Sequence, residues 1–271
     1  MEQNKQLVKS YLHRTANILM INGGFLDNPG LYSGDMGLVL FFFYYADYTE
    51  DKVYRDYAFE LLERVQDRIH EETPIDYKDG LAGIGSTIEF LVQECFIEGD
   101  TDEILEDFDN QIFSVRNMSQ LSIDELVSIA YYAIWRILGS HSKKKVLIND
   151  ILPLIVKAMD EWCSNHELTN PVIECFKNIV EDETTRLIHD LSFENMEWDR
   201  LICWDSPYVS VSRPSSRFLE IMSRNENDIF CQNNLDLGLW NGLSGIGMTL
   251  LSEIDDDAGC SWALLLPISN S

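Results

Sequence analysis

The chain has 271 residues, 45% of them hydrophobic, and carries a formal net charge of -26 from 46 acidic against 20 basic side chains. A field of that sign repels phosphate backbones and anionic membrane surfaces. It argues against nucleic acid and membrane partners and favours a cationic peptide or a basic protein surface, although solubility alone also accounts for it. The length is enough for one large core, and the helical repeats described below favour a single domain over residues 1–271.

Residues 2–21 read as a helix, with Leu7, Tyr11, Ile18 and Ile21 near a 3.6 period and Lys, Gln and Arg between them. NGGFLDNPG (22–30) is a loop of turn formers. LYSGDMGLVLFFFYYADYT then has two close glycines and an apolar block from Met36 to Ala46. That block is too short to cross a bilayer and reads as a helix buried on most sides. TEDKVYRDYAFELLERVQDRIHEE is different in kind. Val53, Tyr57, Leu61, Val65 and Ile69 recur at every fourth position among charges, which predicts an outer amphipathic helix with Thr49 as its N-cap.

The alternation continues. Pro74 to Asp79 is a break, 80–99 (GLAGIGSTIEFLVQECFIEG) repeats the inner type, and 100–115 repeats the outer type with an acidic start that suits the helix dipole. A third inner helix without glycines is predicted over 122–140. A third outer helix over 142–165 is expected to split at Pro153. Between 166 and 232, PVIECFKNIV, ETTRLIHDLSFENM and SSRFLEIMSRN read as helical and WDSPYVSVSRPSS as a loop. The inner type returns over 237–255, and SWALLLP closes the helical sequence.

Three segments share one pattern: LYSGDMGLVLFFF, GLAGIGSTIEFL and GLSGIGMTLLSEI. Alignment on Gly37, Gly85 and Gly247 gives spacings of 48 and 162 residues, the second close to three repeats of similar length. A period in this range marks stacked helical hairpins, so the predicted fold is all-α, an α/α toroid or open arc of about five hairpins. Glycine costs a helix roughly 1 kcal/mol against alanine, so Gly34, Gly37, Gly83, Gly85, Gly242, Gly245 and Gly247 need a reason. One reason is close packing where inner helices begin. The other is that these N-termini aim free N–H groups at a shared cavity.

GLYSGDMGLVLFFFYYA, DGLAGIGSTIEFLVQECFIEGDTDEILEDFD and LWNGLSGIGMTLL resemble the lanthionine synthetase C-like (LanC-like) family, well over 10–115 and moderately over 235–267. The resemblance implies an α/α toroid acting on peptides. Cyclases of the family add a cysteine thiol to a dehydrated Ser or Thr, using zinc to lower the thiol's pKa. One zinc ligand comes from a Trp-Cys segment, and two from a Cys-His dipeptide just before a glycine. Here that turn reads Leu239-Trp240-Asn241-Gly242, and Cys203-Trp204 has the reverse order with no following glycine. An indole and an amide are unsuited to zinc. No zinc or other cofactor is therefore expected, and the chain reads as a shortened, degenerate relative. His189, Cys203, Cys231 and Cys260 are the residues from which a relocated site would have to be built. The resemblance implies a non-catalytic accessory that binds a precursor peptide or a peptide-modifying enzyme, with Asp35, Trp240 and Asn241 near the cavity mouth. The alternatives are a thioether cyclase with relocated ligands, or a carbohydrate-active toroid using carboxylates such as Asp35, Asp79 and Asp236.

Other chemistry finds no support. There is no GxSxG, and GLAGIG lacks the lysine and preceding strand of a phosphate loop. The six cysteines form no CxxC pair and read as buried thiols. Phe41 to Tyr45 and Tyr131, Tyr132 and Trp135 read as core. The N-terminal MEQNKQLVKSYLHRTANILM has no apolar signal core, so a cytoplasmic location is expected.

Overall fold

The computed structural model describes residues 2–114, 118–140, 142–166, 222–223, 229–230, 236–240, 242–254 and 261–266. The helices predicted within 167–221 lie outside them. In chain order the helices are α1 (Glu2–Asn22), α2 (Asp35–Thr49), α3 (Lys52–Arg68), α4 (Leu81–Gln93), α5 (Thr101–Ile104), α6 (Glu106–Phe113), α7 (Ile123–Gly139), α8 (Lys144–Val146), α9 (Leu152–His166) and α10 (Leu243–Ile254). No strand occurs among the described residues, so the all-α prediction holds. None of the described helices is long and apolar enough to cross a membrane. The chain packs as two compact units, Met1–Glu71 with Trp204–Leu266 and Glu72–Cys203 with Pro267–Ser271.

In the first unit, every residue of α2 from Asp35 to Ala46 is buried, as its unbroken apolar run predicts. Glu50, left-handed at φ 54°, ends α2, and only Asp51 separates it from the first residue of α3, Lys52. Asp51 is the N-cap of α3, accepting from the Val53 N–H at 3.0 Å. Thr49, the expected cap, instead closes α2 and donates its hydroxyl to the Tyr45 carbonyl. The α2–α3 seam is aromatic: Phe42 meets Tyr57 edge-on at 4.8 Å, Tyr45 meets Tyr54 at 4.6 Å, and Phe43 meets Phe59 at 5.1 Å. Such pairs add to area burial about 0.5–1.5 kcal/mol each.

Two predicted stripes shift. A spacing of four residues advances about 40° per step around a helix, so five such residues cannot share one face. The buried stripe of α3 is Ala58, Leu61 and Val65, and Val53 is 56% exposed. In α1 the buried face runs through Val8, Tyr11, Leu12, Thr15, Ala16 and Leu19, whereas Leu7 and Ile21 are exposed. α10 is buried from Leu243 to Ser252 and packs on both α1 and α2, so the first and last glycine turns of the chain share one unit.

In the second unit, α4 is buried from Leu81 to Leu91 and packs on α7. α7 opens with a capping box in which Ser122 and Glu125 satisfy each other's backbone N–H groups. The predicted outer helix over 100–115 is broken at buried Leu105 into α5 and α6. The third outer helix splits as its proline requires: a π-helical turn over Leu147–Ile151 precedes α9, and Pro153 falls in the first turn of α9.

Candidate functional site

The three glycine turns have one construction. The first N–H of each inner helix is bound by a carbonyl seven residues earlier: Asp35 by Asn28 at 2.9 Å, Leu81 by Pro74 at 2.8 Å and Leu243 by Asp236 at 2.9 Å. The second N–H follows suit, Met36 to Pro29, Ala82 to Ile75 and Ser244 to Leu237. In the first and last turns an Asn28 or Asp236 side chain also accepts from the N–H two residues on, at Gly30 and Gly238.

Glycine is required because the loop folds back onto the residue before each helix. A β-carbon on Gly34 would stand 2.5 Å from the Gly30 nitrogen. One on Gly80 would be 2.7 Å from the Asp76 carbonyl oxygen, and one on Gly242 would be 2.6 Å from the Gly238 nitrogen. The leading N–H groups are therefore occupied by the chain itself, which favours the packing explanation over free donors aimed at a cavity. The structure also corrects the register of the repeat. Gly34, Gly80 and Gly242 share the position just before the helix, and Gly37, Gly83 and Gly245 share its third residue. Gly85 and Gly247 are both fifth residues and match each other, but neither matches Gly37.

Asp35 begins α2 with no exposed surface, and its carboxylate is held by two arginines of α3. Arg64 binds both oxygens, Nε at 2.9 Å and Nη2 at 2.5 Å, and Arg68 Nη1 donates at 2.7 Å. The same guanidiniums reach the carbonyls of Gly23 at 2.8 Å and Leu26 at 2.6 Å, so one carboxylate ties together α2, α3 and the turn after α1. Burial pushes the Asp35 carboxyl up, and Arg64 and Arg68 act against that rise. Asp35 was expected at a cavity mouth, but this carboxylate is closed off and committed to structure.

Trp240 is half-buried, with its indole stacked on the Tyr32 ring at 5.2 Å and its backbone N–H donating to the Tyr32 carbonyl at 3.0 Å. Leu239 fills the space beside Gly37, where a β-carbon would come within 2.9 Å of the Leu239 β-carbon. The last turn is thus docked on the first, and Trp240 and Asp35 belong to adjoining turns of one unit. Asn241, the third expected site residue, lies outside the described residues, as do His189, Cys203, Cys231 and Cys260. Of the carboxylates considered for glycoside chemistry, Asp35 is sequestered and Asp236 is exposed while capping its own loop. Asp79 belongs to the other unit.

The second unit holds a larger charged cluster that the sequence reading passed over. Arg136 of α7 is completely buried and binds Glu89 of α4 at 2.5 Å, Asp102 of α5 at 2.9 Å and both oxygens of Asp109 of α6 at 3.0 Å. Tyr132 donates to Asp109 at 2.7 Å, and Lys143 reaches it at 3.0 Å. Burial pushes the Glu89 carboxyl up, with Arg136 opposing. Burial acts upward on Asp102 as well, but hydrogen bonds from Ser140 and Ser142, together with the Arg136 guanidinium, outweigh it and hold that carboxyl well below the usual range. A lone arginine inside the apolar run SIAYYAIWRILGS was the available signal.

Residues 1–131 match the family described as Lanthionine synthetase C-like protein. Over this stretch the chain is similar to the LanC-like family. The matched residues contain the first two glycine turns and the Asp35 cluster, whereas the last turn lies beyond them. No curated protein and no solved structure matches the chain. The position before Asn241 is an indole stacked on Tyr32, with no lone pair to offer a metal. Among the described residues no group of three or more His, Cys, Asp or Glu side chains is arranged to hold a metal ion.

Proposed function

We propose that this LanC-like protein serves lanthipeptide-type peptide modification as an accessory that binds a precursor peptide or a modifying enzyme. The observation that carries this reading is Trp240. It stands where the resemblance calls for a metal-binding thiolate, and it is built into the stacking that docks the last turn on the first. The partner contact is assigned to the last turn, Trp240 with Asn241. A net charge of -26 favours a cationic segment of the partner, with association that weakens as salt rises.

The test combines metal analysis with binding. Purified full-length protein is assayed for zinc, then titrated with a lanthipeptide-type precursor peptide. The expected result is zinc far below stoichiometric, no thioether closure on a dehydrated peptide, and salt-sensitive binding that Trp240→Ala weakens at least several-fold. Stoichiometric zinc or ring closure would instead establish a cyclase with relocated ligands.

A further inference from the structure

The acidic and basic side chains of α3 are held apart by what they pack against. Arg64 and Arg68 turn inward to Asp35, and Arg55 pairs with Asp47 of α2 at 2.7 Å. The four carboxylates of the helix, Asp56, Glu60, Glu63 and Asp67, are all exposed. None of them has an ion-pair partner among the described residues. At about 100° and 1.5 Å per residue, the four fall within an arc of about 60° and a length of about 16 Å. Like charges three and four residues apart destabilise a helix, so this row is kept at a cost.

The turn after α1 covers the adjoining sector of α3. Tyr57 donates to the Met20 carbonyl at 3.4 Å, and Arg64 and Arg68 hold the carbonyls of Gly23 and Leu26. Glu60 lies between Tyr57 and Arg64 on the helix surface, and Asp67 follows Arg64 by one turn. The carboxylate row therefore runs along the edge of this turn. The turn itself offers apolar side chains to solvent. Ile21 is 73% exposed and Phe25 80%, and a β-carbon on the intervening Gly24 would meet nothing within 4 Å. Scattered exposed apolar residues are ordinary; here two large ones border an unneutralised row of one sign.

Charge selects the occupant. A second copy of this chain would bring a further net charge of -26, and an anionic membrane is repelled in the same way. A helix with cations on one side and apolar residues on the other satisfies both halves of the surface. We propose that the outer face of α3 and the turn after α1 form a docking surface for a cationic amphipathic helix of a partner. Its apolar residues lie on Ile21 and Phe25, and its Lys or Arg residues follow Asp56, Glu60, Glu63 and Asp67. The surface rests on the accessory reading for the existence of a partner, but it is a contact separate from Trp240 and Asn241.

The probe is a synthetic helical Lys/Leu peptide of about 18 residues, long enough to hold a helix, titrated into the full chain by fluorescence anisotropy. Glu60→Lys with Glu63→Lys should weaken binding about tenfold or more, and Phe25→Ser about fivefold. Glu106→Lys with Asp107→Lys, exposed on α6, makes the same change in net charge and should cost no more than about threefold. Trp240→Ala should leave this peptide unaffected. Equal losses in the two charge-reversed pairs would reduce the effect to overall charge, and unchanged binding in Phe25→Ser would remove the apolar anchor. Self-association of the free protein that Phe25→Ser abolishes would give the face to a second copy, and binding to zwitterionic vesicles through Phe25 would give it to a membrane. Each of these four results overturns the proposal. Stoichiometric zinc would defeat the accessory reading and leave these binding ratios legible, so the two failures are distinct.

Discussion

Replacing Arg136 with methionine keeps most of the apolar stem and removes the guanidinium. In the intact cluster two cations, Arg136 and Lys143, face three carboxylates, Glu89, Asp102 and Asp109. Without Arg136 only Lys143 remains, and its contact is to Asp109 alone. Breaking a buried ion cluster by removing one member costs roughly 3–5 kcal/mol, because the partners stay desolvated and unpaired. Arg136 is 0% exposed and Glu89 is buried with it, so Arg136→Met should fall in that range. Urea unfolding followed by far-UV circular dichroism measures it. Adding Glu89→Gln removes one stranded charge, so the double variant should be more stable than the sum of the singles by about 0.5–3 kcal/mol. The deficit should also depend on pH. A carboxyl whose folded pKa is raised takes up a proton more readily folded than unfolded, so its contribution to stability falls as pH rises through that folded value. Arg136 opposes the rise at Glu89, and its loss widens the window upward. The deficit of Arg136→Met should therefore be larger near pH 7 than near pH 5. A variant within about 0.5 kcal/mol of the parent at both pH values would refute the assignment of Arg136 as the hub.

Two further substitutions test other parts of the structure. Ser142 donates to Asp102 from its hydroxyl at 2.7 Å and its backbone N–H at 2.8 Å, helping to hold that carboxyl low. A lowered folded pKa gives stability that is present above the unfolded value and is lost as pH falls below it. Ser142→Ala should thus shrink the difference in urea midpoint between neutral pH and about pH 2, where the folded carboxyl itself begins to take up a proton, and an unchanged difference would count against the bond. Gly80→Ala should cost about 1–3 kcal/mol, because the loop carbonyls of Pro74 and Asp76 occupy the space a methyl would need. Gly24→Ala, with nothing within 4 Å, is the matched control and should stay within about 0.5 kcal/mol. Equal thermal midpoints for the two variants would rule out the folded-back turn.

The alternation of apolar and charged stretches was enough to locate the inner and outer helices, since burial on one face or on all faces is written in local periodicity. So were the split of the third outer helix before α9, which follows from proline geometry, and the incompatibility of Trp240 with zinc, which follows from side-chain chemistry. Tertiary packing alone decided what the charged residues do. Asp35 looked like a mouth residue because it sits in a turn, yet Arg64 and Arg68, 29 and 33 positions away, close over it. Arg136 gathers Glu89, Asp102 and Asp109 from three other helices, at separations of 47, 34 and 27 residues. The repeat register was off by two at Gly85 and Gly247 for a related reason: the decisive glycine is the one the returning loop touches, and that contact is made in space. Periodicity belongs to a helix by itself, whereas pairing of buried charges and closure of loops depend on distances between helices, which no local pattern encodes.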